Sequence, residues 1–309
     1  MKRITFIIFI VLGTIALKAQ EADTSWKVNS DISLMMSQSS FSNWSAGGEN
    51  SLTLNGYFNF YAGYLKGRVK WENMLALAYG QTKTGDFKFR KNEDKIDFAS
   101  TYGLRTNDDS KWYYTAAFNF KSQFASGYDY PDGVDSTKVK ISNFLAPAYT
   151  SIGLGMEYRP YDYMSFYISP ITARWIIVND QDLADAGAFG VEPAHIDATT
   201  GKKVHGEKVK FEFGAYFRFI FAKQLTKGIK FSTKLELYSN YLENPQNIDV
   251  NWDNMFDFTI NSWLTANFGW QLVYDDDTPI LLGDGTAGPR TQFRQVLGIG
   301  LAYKVSNRK

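Results

Sequence analysis

The chain has 309 residues and a formal net charge of +1, from 33 basic and 32 acidic residues. That balance excludes the basic stripe by which nucleic-acid-binding domains are recognised. It contains no cysteine, which excludes a disulfide framework, a thiolate site and a lipid anchor on an N-terminal Cys.

The first residues read as a leader. Lys2 and Arg3 form a positive n-region, Ile4 to Leu17 is apolar, and Ala19 suits the position before a cut. Residues 1–19 are therefore expected to be a cleaved signal peptide and 20–309 a single domain, since no polar low-complexity linker divides the rest. The apolar run is short for a spanning helix, which needs about 20 residues. No other stretch approaches that length without charges. A membrane-spanning reading must then use strands closed into a barrel.

Period-two alternation fills the remainder. Trp26 to Met36 is the first predicted strand, followed by a polar loop, SQSSFSNWSAGGEN. Ser51 to Leu65 alternates most cleanly, with Leu52, Leu54, Phe58, Phe60, Ala62 and Tyr64 on one face. Strands three to five are Arg68 to Gly80, about Asp94 to Leu104, and one beginning at Trp112. A loop from about Gly127 to Asn143 leads to strand six, Leu145 to Tyr158. Strand seven, Met164 to Val178, contains Pro170, which removes a ladder hydrogen bond and predicts a bulge or an edge. The longest loop, about Asn179 to Gly206, holds both histidines. In strand eight, Lys208 to Phe221, one face is nearly all Phe and the other carries Lys208, Lys210, Glu212 and Arg218. Strands nine (from Ile229), ten (Ile248 to Phe258), eleven (Leu264 to Tyr274) and twelve (Thr291 to Val305) complete the pattern.

Connections alternate in length: tight after the even-numbered strands, longer after most odd-numbered ones. Trp and Tyr gather at strand ends, as at Trp26, Trp71, Trp112 and Tyr303, where interfacial girdles are expected. The predicted fold is an all-β, closed antiparallel transmembrane β-barrel of about twelve strands in the outer membrane of a Gram-negative bacterium. Short turns and both termini are expected to be periplasmic and long loops external. Expected partners are outer-membrane lipid and lipopolysaccharide, the barrel-assembly machinery, other outer-membrane proteins, and no nucleic acid.

Gly298, Leu301 and Tyr303 resemble the C-terminal strand that barrel-assembly machinery recognises, although Val296 departs from the pattern and Ser306 to Lys309 trail behind it. The stretch FSNWSAGGENSLTLNG, Phe41 to Gly56, resembles the opening motif of an uncharacterised family of Bacteroidota outer-membrane barrels known only as a domain of unknown function. NFLAPAYTSIGLGMEYRP, SPITARWIIV with AGAFGV, and NWDNMFDF through LVYDDD are similar too. The resemblance covers most of the mature chain. It implies an outer-membrane barrel and no particular activity.

Candidate chemistry is sparse. His195 and His205 lie in one loop, where solvated positions are the commoner reading, and no metal site or cofactor is expected. No nucleophile motif accompanies them, so an enzyme is not expected. Asp275, Asp276, Asp277 and Asp284 do not match an EF-hand spacing and read as a solvated acidic loop. The better lead is a ladder of lumen-facing charges. It comprises Lys208, Lys210, Glu212 and Arg218 on strand eight, Lys230, Lys234 and Glu236 on strand nine, and Asp249, Asp253 and Asp257 on strand ten. Adjacent antiparallel strands bring such residues within pairing distance. The ladder is expected either to plug the lumen or to select a zwitterionic or charged solute. Twelve strands fall between a filled and an open interior, so the lumen is expected to be largely plugged or narrow. Asn43, Trp44, Gly47 and Gly48 mark a first outer loop that plugs the barrel or docks a partner. The expected function is a narrow pore or transporter for small polar solutes. The alternative is a non-conducting accessory barrel in an outer-membrane complex.

Overall fold

The computed structural model describes residues 25–41, 49–131, 133, 135–277, 280–281 and 287–306. The expected signal peptide and the loop residues Asn43, Trp44, Gly47 and Gly48 lie outside them, as does Asp284.

The twelve alternating stretches form twelve long strands. They are β1 (Trp26–Ser39), β2 (Ser51–Lys66), β3 (Val69–Thr84), β4 (Arg90–Arg105), β5 (Trp112–Ser122) and β6 (Ala148–Tyr161). They continue as β7 (Met164–Ile177), β8 (Val209–Thr226), β9 (Ile229–Asn240), β10 (Asp249–Thr259), β11 (Leu264–Tyr274) and β12 (Gln292–Ser306). Each pairs antiparallel with its sequence neighbours, and β1 pairs with β12 from Asn29↔Ser306 to Met35↔Gly300, closing a barrel. Closure removes the edges an open sheet would leave. Turns 67–68, 162–163 and 227–228 are tight; segments 123–147 and 178–208 are long and carry small hairpins of their own. Strand six starts at Ala148 rather than Leu145, because Leu145 takes a left-handed turn conformation (φ 53°) and its carbonyl accepts from Asn179 N–H.

The outer face is apolar and exposed. Ile32, Leu34, Ile152, Leu154 and Phe293 all face outward, and Leu297 and Tyr303 are 74% and 72% exposed. Rings cluster at the short-turn end: Trp26 with Tyr64 (5.2 Å), Trp112 with Tyr158 (4.8 Å), and Tyr161 with Tyr163 (5.1 Å). Among the described residues no helix is long and apolar enough to cross a membrane. An apolar exterior over a closed antiparallel sheet is the architecture of transmembrane β-barrels.

Two polar groups on that exterior are satisfied locally by the same device. Trp71-Glu72-Asn73-Met74 and Trp252-Asp253-Asn254-Met255 share one pattern. Asn73 accepts from Ser100 Oγ (2.8 Å) on the neighbouring strand, and Ser100 Oγ accepts from the Trp71 indole (2.9 Å). Thr233 Oγ1 accepts from the Trp252 indole (2.9 Å) in the same way. The Asn254 amide, oriented to suit its neighbours, donates to Thr233 (2.8 Å) and accepts from Trp270 (3.1 Å).

Pro170 sits at a bulge, not an edge: β7 pairs on both sides, and the register shifts against β6 between Leu154 and Met156 and against β8 between Gly214 and Tyr216. Ser169 Oγ lies 2.9 Å from both the Leu154 and the Ile171 carbonyl there, and its single O–H donates to one of them at a time. The bulge needs glycine beside it. A Cβ on Gly155 would fall 2.0 Å from the Ile168 carbonyl, and one on Gly214 1.9 Å from that of Ser239.

Gly214→Val is therefore expected to cost about 3 kcal/mol or more, as a backbone clash cannot be relieved by a rotamer change. Gly56→Ala, whose Cβ would meet nothing nearer than 3.8 Å, is expected to be near neutral. Urea unfolding of the folded barrel, followed by Trp fluorescence, measures both.

Candidate functional site

Inward positions are polar, and they pair across the lumen more than along the sheet. Nearest the short turns, Arg159 of β6 holds Glu72 of β3 through two parallel bonds of 2.9 and 3.0 Å. Lys70 pairs with Glu157 and lies 3.3 Å from Glu72. Higher up, Lys121 of β5 reaches Glu236 of β9 at 2.6 Å, and Lys234 lies 3.2 Å from Glu236 and 3.8 Å from Asp97 of β4. Tyr216 (2.6 Å) and Asn251 (3.0 Å) also donate to Glu236. Toward the long loops, Arg174 of β7 pairs with Glu212 of β8 and with Asp249 of β10 (2.8 Å), its guanidinium 4.0 Å from the Tyr238 ring centroid. Arg294 of β12 pairs with Glu93 of β4.

The residues of the expected ladder are placed as follows. Glu212 is fully buried. Lys210 lies 3.4 Å from Glu212, 3.3 Å from Glu243 and 2.9 Å from Asp277. Arg218 is buried against Thr101 (3.4 Å) and the Tyr167 ring. Lys234 stands opposite Asp253 in register and Lys230 opposite Asp257. Lys208 is not a ladder member. It precedes β8, is exposed, and contributes only its carbonyl, to Val178 N–H. Sequence reasoning missed Arg174, Lys121, Lys70, Glu72, Glu157 and Arg159; their inward parity was the available signal, and the wall they face was not.

Between these layers and the long loops lies a cavity of about 240 Å³. Its walls carry the charged groups Lys121, Arg174, Glu236, Asp249 and Asp275, the rings of Tyr149, Tyr216, Tyr238 and Tyr274, and the amides of Asn119, Asn251 and Gln271.

Met74 pairs in register with inward Tyr61, and Met255 with Gly269, so both methionines point inward. They are nonetheless 40% and 37% exposed, so solvent-accessible space adjoins them. Met255 and Met35 lie over Gly269 and Gly298, in the room a Cβ would take.

The long loops form a cap with its own small core of Ala146, Val178, Leu183, Ala184 and Val191. Asp180 caps the short helix α1 (Gln181–Asp185) and pairs with Lys140 at 2.6 Å. Hydrogen bonds from Lys203, Gln181 and His205 hold the Asp185 carboxyl below the usual carboxylate range. His205 Nδ1 lies 2.9 Å from Asp185, while His195 faces Val204 across a two-residue hairpin, so the histidines are not brought together as a pair. Asp276 accepts from Tyr274 (3.0 Å) and Asn247, and Asp277 pairs with Lys210. Among the described residues no group of His, Asp or Glu could hold a metal ion.

Fold and lumen define a porin-like β-barrel of the transmembrane class. A family model described as a protein of unknown function (DUF3078) matches residues 36–128, from the end of β1 into the loop after β5. No curated protein matches the chain. Among solved structures, a NanC porin is similar at 8% identity and a TM-score of 0.37, over 88% of this chain and 98% of that one. An outer-membrane channel from Pseudomonas putida F1 is similar at 10% identity and 0.38, over 91% and 95%. The translocator domain of the autotransporter NalP from Neisseria meningitidis is similar at 8% identity and 0.32, over 92% and 90%. The barrel assignment rests on the strand register and not on these likenesses.

Glu236 is the acceptor on which the central layer converges. Glu236→Leu is expected to cost about 3 kcal/mol, because it leaves Lys121 and Lys234 without their shared carboxylate. Lys121→Met combined with Glu236→Leu is expected to recover part of that loss. A double-mutant cycle by urea unfolding reads the coupling.

Proposed function

We propose that the chain is an integral outer-membrane barrel of a Gram-negative, Bacteroidota-type bacterium, with both termini periplasmic, and that it is a narrow pore for small polar solutes. The observation that carries this reading is the exposure of the inward residues Met74 and Met255 beside a wall of transverse ion pairs. The ion pairs leave solvent-accessible space beside these two methionines. Polar lining and fixed charge beside a narrow path are what set selectivity in barrels and channels. Asp253 and Asp257 share the inward face with Met255, each opposite a lysine in register, Lys234 and Lys230, so the charge balance of the path depends on these two pairs.

The second reading is a non-conducting accessory barrel. The folded cap on the long loops, with its own apolar core, favours it as a docking surface for other outer-membrane proteins. Under either reading, lipid and lipopolysaccharide cover the apolar exterior, and the assembly machinery recognises β12.

Planar-bilayer recording of the purified barrel separates the two. The pore reading expects discrete, salt-dependent steps with a defined reversal potential under a salt gradient. Asp253→Asn, which leaves Lys234 without its in-register carboxylate, is expected to shift that potential toward the anion side by several millivolts. A silent bilayer from folded protein would leave the accessory reading.

A further inference from the structure

We infer that the lumenal cavity is a binding site for an uncharged polyhydroxyl compound the size of a single sugar ring. This inference deepens the pore reading by naming the solute class.

The first argument is charge. The cavity wall carries two cations and three carboxylates. Both cations are already engaged: Arg174 by Glu212 and Asp249, Lys121 by Glu236. An anionic solute would have to displace a carboxylate from a partly buried pair and would meet a surplus of negative charge. Breaking such pairs is costly. A cation gains little from Glu236 and Asp249, which are held by lysine, arginine, tyrosine and amide donors, and the third carboxylate, Asp275, already accepts from Asp277 N–H.

The second argument is what remains for a ligand. Gln271 gives one N–H to Asn251 Oδ1 (3.0 Å) and keeps its carbonyl oxygen as an acceptor. Asn119 reaches Ser151 over a weak 3.3 Å contact. Ser151 brings a hydroxyl, and Tyr149 brings a ring face. Neutral donors and acceptors beside an aromatic face complement a molecule with both C–H and O–H faces. The 240 Å³ volume lies below the roughly 300–1,000 Å³ of drug-sized pockets, which limits the occupant to about one ring.

Saturation-transfer NMR on the full chain in detergent, with D-glucose, glutamate and lysine as probes, tests the inference. Saturable glucose binding is expected, at least fivefold tighter than either charged probe and weakened at least fivefold in both Gln271→Leu and Asn119→Leu. Heat-modifiable gel migration shows that each variant is folded. No saturable glucose signal, tighter binding of glutamate or lysine, or glucose binding unchanged in both variants would overturn it. Conductance is read separately: steps without glucose binding leave the pore reading standing and remove this one, whereas glucose binding to a silent barrel does the reverse.

Discussion

Hydrogen-bond closure of the backbone is the constraint on which the rest of the structure depends. A bilayer offers no partner to a peptide group, so strands that span it must each be paired on both sides. The β1–β12 seam accomplishes this. Where Pro170 breaks the ladder, the Ser169 hydroxyl repairs it, and Gly155 and Gly214 make room for the distortion. Asn73 and Asn254, polar groups on the outer face, obey the same rule through Ser100, Thr233 and indole N–H groups.

Closure then forces a second problem inward. Side chains alternating with an apolar exterior point into a confined lumen, and charges there lose hydration. Each is stable only with a partner and further hydrogen bonds. The barrel meets this by bridging walls: β3 to β6, β5 to β9, β7 to β10. The bridges do not fill the lumen completely: Met74 and Met255, on the bridged strands β3 and β10, keep solvent-accessible surface.

Strand number, strand faces and the alternation of short and long connections were legible because lipid outside and water inside impose a strict period of two. The Phe-rich face of β8 is the clearest case. Lys208 was misread because its alternation continues past the residue where β8 pairing begins. The cross-lumen pairs were not legible at all. Sequence gives the face of a residue and its nearest neighbours in the sheet, but not which wall lies opposite. Arg174 shows this: it sits in the apolar run from Ile171 to Val178, and only parity marks it as inward. The repeated Trp-acid-Asn-Met pattern was visible in the chain, yet its meaning required the cross-strand Ser100 and Thr233.

The central claim, lipid outside and a wet lumen inside, is tested most directly by thiol accessibility, since the chain has no native cysteine. Single cysteines are placed at the inward positions Met74 and Met255 and at their outward neighbours Leu75 and Phe256, in barrels reconstituted into vesicles. A charged, membrane-impermeant thiol reagent is expected to modify Met74→Cys and Met255→Cys and to spare Leu75→Cys and Phe256→Cys. Modification of the outward pair instead, or equal reaction at all four sites, would contradict the account.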